Sequence, residues 1–468
     1  MLYFYLNYFL ALSLILTISI TFFNVFFSFT VSLYFLKIKY IMYIICILYF
    51  KIVLIFSLYR VYSFNLINMF NSLDYFYFSY YFPFLLIFVL ITSISLVFCL
   101  NYNFYELNYF ITYCFFIIFF GFNLILTNSI LLFFFYYECL LLPSFFILYI
   151  FSKTRRSVEA AYLMFFWTQF GALWLIFSFI YIFSITNSFY FDSIKFFNFS
   201  KFDSYFIFFS ILLGFGVKLP IWPFYEWLPK AHVEASTNFS IFLSGVLVKF
   251  AFFGFYKCLI SLSMDINFFL IFPYLLVGLI DSTFKMFYQI DIKKLIAYST
   301  VVEMHWLLIC IINGNNILLL SGFGMLISHA ILSTNSFLIV DSISRRFKTR
   351  LITEISGLNF LCPKLFIICL VNIVIFLGFP GSLFFISEFV FFSFLFDVFP
   401  LYSFIVLFFV YFVLASFFIK IWMNVLFGSI NNNIKKIPLD LDKTELAIFC
   451  FMILVIFLLG NSFISIIF

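Results

Sequence analysis

Ionisable side chains are almost absent from the interiors of the long apolar runs that fill this chain, and no motif constrains the fold as strongly. A run of about 20 apolar residues is long enough to cross the hydrocarbon core of a bilayer as a helix, where every backbone N–H and C=O must find its partner inside the protein. Charged residues make up only 9% of the 468, against roughly 25% in a soluble domain, which excludes a water-soluble globular fold. Disorder is excluded too, because it requires low hydrophobicity and high charge. What remains is an all-α polytopic membrane protein.

Setting the apolar runs against charges and turn breaks predicts about fourteen transmembrane helices. Their limits are 8–35, 40–59, 82–101, 107–126, 130–151, 158–184, 203–228, 237–260, 267–289, 293–312, 317–343, 364–395, 401–427 and 445–467. Loops after odd-numbered spans hold Lys37 and Lys39; Lys153, Arg155 and Arg156; Lys230; Lys293 and Lys294; Arg345, Arg346, Lys348 and Arg350; and Lys435, Lys436 and Lys443. The even loops offer little beyond Arg60, Lys195 and Lys201. Basic loops stay on the side of synthesis, so both termini are expected on the opposite face.

Two spans carry breaks. ILLGFGVKLPIWPFYEWLPKA has Pro220 and Pro223 in its middle, and VNIVIFLGFPGSLFFISEF has Gly378, Pro380 and Gly381. Proline removes a helical hydrogen bond and clashes with the preceding turn, and non-helical backbone at that depth survives only inside protein or beside a watery cavity. Broken helices five spans apart suggest a duplicated unit with inverted topology.

The 86 Phe and 31 Tyr fit the codon bias of an AT-rich genome acting on a lipid-facing surface, rather than a cofactor box. Nine Cys show no C-x-x-C pair and no Cys/His cluster, which argues against disulfides, structural zinc and iron–sulfur ligation. The N-terminal MLYFYLNYFLALSL lacks the Arg-rich amphipathic pattern of a transit peptide, so insertion in a bacterium or synthesis inside an organelle is expected. No nucleophile with its base, metal triad or phosphate-cradling loop is visible, and catalysis by this chain alone is not expected.

The buried ionisable groups are the functional candidates, since each costs several kcal/mol at the bilayer centre and needs a reason to be there. Glu138 in FFFYYECLLLP and Lys218 just before the Pro220 break form a candidate switchable ion pair. Lys249 in GVLVKFAFFGF lies mid-span with no helix end close enough for its amine to reach water. His329, beside Ser328, Ser333 and Asn335, is either a relay or a satisfied core histidine. Glu388 follows the second break by eight residues. Glu303 and His305 share VVEMH, while His232 and Asp341, near span ends, suit structural or capping roles as well as any other.

The stretches VKLPIWPFYEWLPKAHVEAS, GVLVK, DIKKLIAYSTVVEM, LISH and GFPGSLFFISEF resemble the antiporter-like membrane subunits of the proton-pumping NADH:ubiquinone oxidoreductase, respiratory complex I, and among them its chain 4 group. The likeness covers roughly residues 130–430; the first 80 and last 35 match only in hydropathy. It implies fourteen helices with two inverted five-helix repeats, each holding a broken helix. The corresponding division is 1–106 N-terminal helices, 107–260 first repeat, 261–428 second repeat, and 429–468 polar loop with the last helix. It also implies that Glu138 is the ion-pair carboxylate, Lys218 its broken-helix partner, Lys249 the central lysine, His329 the linking relay and Glu388 the terminal acid. Where the family usually has His before Met in the tenth span this chain has Glu303, so Glu303 or His305 stands in for it. The family's usual His before WLP is replaced by Tyr225 and Glu226.

The resemblance further implies a place in the mitochondrial inner membrane, beside the other membrane-arm subunits and lipids such as cardiolipin. Flavin, iron–sulfur clusters and ubiquinone would belong to partner subunits; this chain would hold no cofactor or metal and bind no nucleic acid. The alternative is a subunit of a multisubunit cation/proton antiporter, which shares the same ionisable residues.

Overall fold

A computed structural model describes residues 104–151, 154–262, 271–312, 316–398, 400–409, 415–429 and 440–467, together with Phe84 and Ile91. The spans expected at 8–35, 40–59 and 82–101 lie outside these residues, apart from Phe84 and Ile91. From residue 107 onward helices occupy every expected span. They are α1 (Phe104–Leu126), α2 (Ile130–Ile150), α3 (Arg155–Thr186), α4a (Lys201–Lys218) with α4b (Trp227–Glu234), and α5 (Thr237–Leu262). Then follow α6 (Ile271–Phe287), α7 (Ile292–Ile312), α8 (Asn316–Phe347), α9a (Pro363–Phe376) with α9b (Leu383–Val398), α10 (Pro400–Leu407), α11 (Ala415–Phe427) and α12 (Lys443–Ile467). No β-strand occurs among the described residues.

Which helices face lipid follows from how their apolar residues are distributed. α3 presents Tyr162, Phe166, Leu173, Phe177 and Ile180 outward, all more than half exposed. α7 has no exposed stripe, since every residue but Lys294 is buried, the mark of a helix at the centre of a bundle. α5 is nearly as enclosed, so the helix carrying Lys249 and the helix carrying Glu303 are both interior.

Both breaks are present where the prolines and glycines place them. The first separates α4a from α4b across residues 219–226, with a short 3₁₀ turn at Phe224–Glu226. The second separates α9a from α9b, and there Gly378 (φ 84°) and Gly381 (φ 89°) adopt left-handed backbone that side chains disfavour.

Two isolated backbone bridges occupy corresponding places in the two parts of the chain. Ser129, just before α2, pairs with Tyr190 after α3, and Asp291, just before α7, pairs with Leu351 after α8. Asp291 lies 162 residues beyond Ser129, and Leu351 lies 161 beyond Tyr190. The flanking bonds also correspond: Ile130 N–H donates to Phe189 O (2.8 Å) and Phe191 N–H to Asn128 O (3.0 Å). In the second unit Ile292 N–H donates to Arg350 O (3.2 Å) and Ile352 N–H to Ile290 O (3.0 Å).

The second bridge sits at the end of the bundle where the basic loops gather. Arg350 donates to Val233 O (2.8 Å), Lys293 Nζ to Ala235 O (2.6 Å), and Thr154 Oγ1 to Glu234 Oε2 (3.4 Å). Arg345 and Arg346 clasp Glu445 at 2.9 and 2.7 Å. The described basic segments around Thr154, Lys293 and residues 345–350 are therefore gathered at one end, and the first bridge, with Lys195 and Lys201 nearby in sequence, closes the other. In sealed vesicles, Thr353→Cys and Arg156→Cys should react with an impermeant thiol reagent from one face and Phe196→Cys only from the other. Labelling of residues 353 and 196 from the same face would contradict this topology.

Candidate functional site

Lys218 ends α4a, where the unpaired carbonyls of a helix C-terminus favour a cation. Its Nζ stands 3.4 Å from Glu138 Oε1 and 3.4 Å from Tyr137 O, and lies 3.5 Å from the Tyr137 ring centroid. Glu138 is held from its other side by Gln169 Nε2 at 3.1 Å. The pair is mostly enclosed, so the ring face, the carbonyl and the amide supply what water would otherwise give. A cavity of about 30 Å³ adjoins Lys218, lined among others by Ser144, Thr168, Leu247 and Val248. That is room for a water-sized guest between Lys218 and the turn of α5 that carries Lys249.

The exposed backbone of the first break is satisfied by neighbouring side chains. Trp222 N–H donates to His305 Nε2 (3.1 Å), Tyr274 donates its hydroxyl to Trp222 O, and Trp227 Nε1 donates to Val217 O (2.9 Å). His305 Nδ1 meets Val301 O at 2.8 Å, so both ring nitrogens are occupied by backbone. Gly278 makes this possible: a Cβ there would run into His305 and Trp222.

α5 contains a π-helical turn, Leu243–Leu247, that ends two residues before Lys249. A π turn inserts one extra residue and shifts the hydrogen-bond register, a device frequent at functional sites. Within it, Ser244 O accepts from Lys249 Nζ at 2.5 Å. The same Nζ reaches His329 Nδ1 at 2.7 Å, and His329 Nε2 stands 3.4 Å from Glu303 Oε2, an ion-pair separation rather than an aligned hydrogen bond. With Nδ1 accepting from the ammonium, a neutral ring carries its proton on Nε2 and faces Glu303 with it. Glu388 lies within electrostatic range of Glu303, and Lys249, His329, Glu303 and Glu388 are all at least nine-tenths buried.

The structure thus brings together Glu138 with Lys218, and separately Lys249, His329, Glu303 and Glu388. His305 belongs to neither group and holds the first break. Helical geometry explains the separation: two residues along a helix turn the side chain by about 200°, so Glu303 and His305 project from nearly opposite faces. His232 is buried and stacks on Phe337 with ring centroids 4.8 Å apart. Asp341 pairs with Arg345 at 2.9 Å.

Several polar partners escaped sequence reasoning. Gln169 and the π turn carry no distinctive sequence signal. Asn335, a sequence neighbour of His329, donates to Asn372 Oδ1 (2.9 Å) between α8 and α9a. Lys257, also buried in α5, donates to Thr127 O beneath the rings of Phe133, Phe191 and Phe253. Its position in an apolar run was the available signal.

Residues 127–418 match the family model described as NADH:quinone oxidoreductase/Mrp antiporter, TM. The chain belongs to this family. Among its relatives, NADH-ubiquinone oxidoreductase chain 4 of Paramecium tetraurelia is 35% identical over 309 residues, covering 64% of this chain and 64% of the relative. The chain 4 of Acanthamoeba castellanii is 28% identical, over 68% of this chain and 65% of the relative. The chain therefore matches somewhat less than two thirds of the length of these relatives.

The same fold occurs in respiratory complex I from Thermus thermophilus with bound NADH (TM-score 0.71, 20% identity, 81% of this chain and 79% of that one). It also occurs in the Mrp complex from Dietzia sp. DQ12-45-1b (TM-score 0.70, 14% identity, 80% of both chains).

His305→Leu leaves the buried Trp222 N–H without an acceptor, which costs about 1–3 kcal/mol. It should lower the unfolding temperature of the assembled protein, while Glu303→Gln should leave it near wild type. Equal destabilisation by the two would show that Glu303 is a packing residue.

Proposed function

We propose that this chain is a proton-translocating membrane-arm subunit of a mitochondrial NADH:ubiquinone oxidoreductase, of the chain 4 type, in the inner membrane. The observation that carries the reading is the continuous contact from Lys249 through His329 to Glu303. Imidazole is suited to the middle position, because it accepts a proton on one nitrogen while releasing one from the other. In the proposed step Lys249 gives a proton to His329 Nδ1, and His329 Nε2 gives one to Glu303, from which Glu388 is the next acceptor. Lys249 becomes neutral, Glu303 becomes a neutral acid, and the ring returns to a neutral tautomer.

The Glu138–Lys218 pair acts upstream. While the pair is closed, the carboxylate holds the Lys218 ammonium; when it opens, that proton is free to pass toward Lys249 through the small cavity lined by Leu247 and Val248. Electron transfer from NADH to quinone belongs to partner subunits that hold flavin and iron–sulfur clusters, and this chain supplies the proton path.

A cation/proton antiporter subunit is the competing reading, since the fold occurs in both kinds of complex. The relatives with the greater sequence likeness are chain 4 proteins, which favours the oxidoreductase. Co-purification with flavin and iron–sulfur subunits tests the choice, and migration with antiporter subunits instead would overturn it.

Lys249→Met removes the titrating group at similar length and should cut proton transport, and the electron transfer coupled to it, by about tenfold or more, equal to ~1.4 kcal/mol on the barrier. Lys249→Arg should fail as well, because a guanidinium stays charged and cannot relay. Normal pumping by the Arg variant would show that positive charge alone suffices. Glu388→Gln should impair pumping in a complex that still assembles, and loss of assembly would make its role structural.

A further inference from the structure

At the basic end of the bundle the start of α5, the start of α7 and the end of α8 border an open cavity of about 420 Å³ that the buried line does not use. Its wall carries three cations, Lys293, Lys348 and Arg350, and one acid, Asp341, which Arg345 already engages at 2.9 Å. Lys293 is buried and gives one N–H to Ala235 O (2.6 Å). Arg350 gives one to Val233 O (2.8 Å), with its Nε 3.9 Å from Asp291. An ammonium has three donors and a guanidinium five, so both keep N–H groups in reserve. Lys348 makes no side-chain hydrogen bond or ion pair among the described residues, and its backbone stands in the left-handed region (φ 62°).

Two hydroxyl-bearing residues, Ser236 and Thr349, also line the wall. Their Oγ atoms sit just beneath its surface without a hydrogen-bond partner, and a χ1 rotation turns either toward the space. Ser236 precedes the 26-residue helix α5 without its side chain capping that helix. The positive end of α5 therefore also borders the cavity. Unpaired hydroxyls beneath a wall are costly, and these stand beside an excess of cations around a space too large for a single water.

We propose that this cavity is an oxyanion site that takes a phosphate group. A tetrahedral phosphate offers acceptor oxygens in several directions, matching ammonium, guanidinium and hydroxyl donors supplied by separate chain segments. A carboxylate would leave part of that set unpaired. The phosphate comes either from free inorganic phosphate or from a phospholipid headgroup, and the site is independent of the proton path.

The test uses the intact membrane complex containing this chain, purified as wild type, Lys348→Asn, Thr349→Val and the opposite-end control Lys195→Asn. Lys348→Asn removes a charge that holds no other contact, at a backbone conformation Asn tolerates; Thr349→Val keeps the shape and deletes the hydroxyl. Radiolabelled inorganic phosphate is measured by equilibrium dialysis at fixed ionic strength, and retained phospholipid by phosphorus assay of a solvent extract. Each site variant should lose about one phosphate equivalent per complex in one pool, with the control unchanged. Loss of exchangeable phosphate identifies the free anion, and loss of extractable phosphorus identifies a lipid. Wild-type values in both pools for both variants, or equal loss in the control, would overturn the proposal.

Discussion

An ammonium deep in an apolar bundle is tolerated only when neighbouring groups share its charge, because desolvation at that depth costs several kcal/mol. Lys249 meets this constraint with two contacts, Ser244 O at 2.5 Å and His329 Nδ1 at 2.7 Å. Each contact depends on a larger feature. The carbonyl is placed by the π turn in α5, and the imidazole is placed by α8 packing beside it. Glu303 of the fully enclosed α7 then completes the line. The interior helices are interior because these groups cannot face lipid.

The broken helices obey the same constraint in backbone form. An interrupted helix at membrane depth exposes N–H and C=O groups that lipid cannot satisfy. Around the first break, His305, Tyr274 and Trp227 supply those partners from the side. Around the second, Gly460 of α12 packs so closely on the backbone of residues 381–383 that no side chain fits. The paired bridges at Ser129–Tyr190 and Asp291–Leu351 show the two halves repeating one local design at opposite ends of the bundle.

Much of this was legible because membrane sequences carry their constraints openly. Hydropathy located the helices from residue 107 onward, the Pro220–Pro223 and Gly378–Gly381 clusters located the breaks, and isolated charges in apolar runs located Glu138, Lys218, Lys249 and Glu388. The choice between Glu303 and His305 was not legible, since two ionisable residues in VVEMH look equivalent until the helix phase is fixed against its neighbours. Lys293 read as an ordinary loop cation, yet it is 1% exposed and bonded to Ala235 O. The π turn was invisible because it is a property of hydrogen-bond register, and LSGVL has no composition that demands it. Gln169 needed the three-dimensional position of Glu138 before it meant anything.

The central claim is that protons cross this chain through the buried carboxyl of Glu303 rather than merely being balanced by it. Infrared difference spectroscopy of the assembled complex during turnover, with ¹³C-labelled glutamate to mark the carboxyl bands, reads that directly. The account predicts a carboxylic-acid C=O band that changes during turnover, moves with the label and disappears in Glu303→Gln. A turnover spectrum in which the glutamate bands are the same in wild type and in that variant would contradict it.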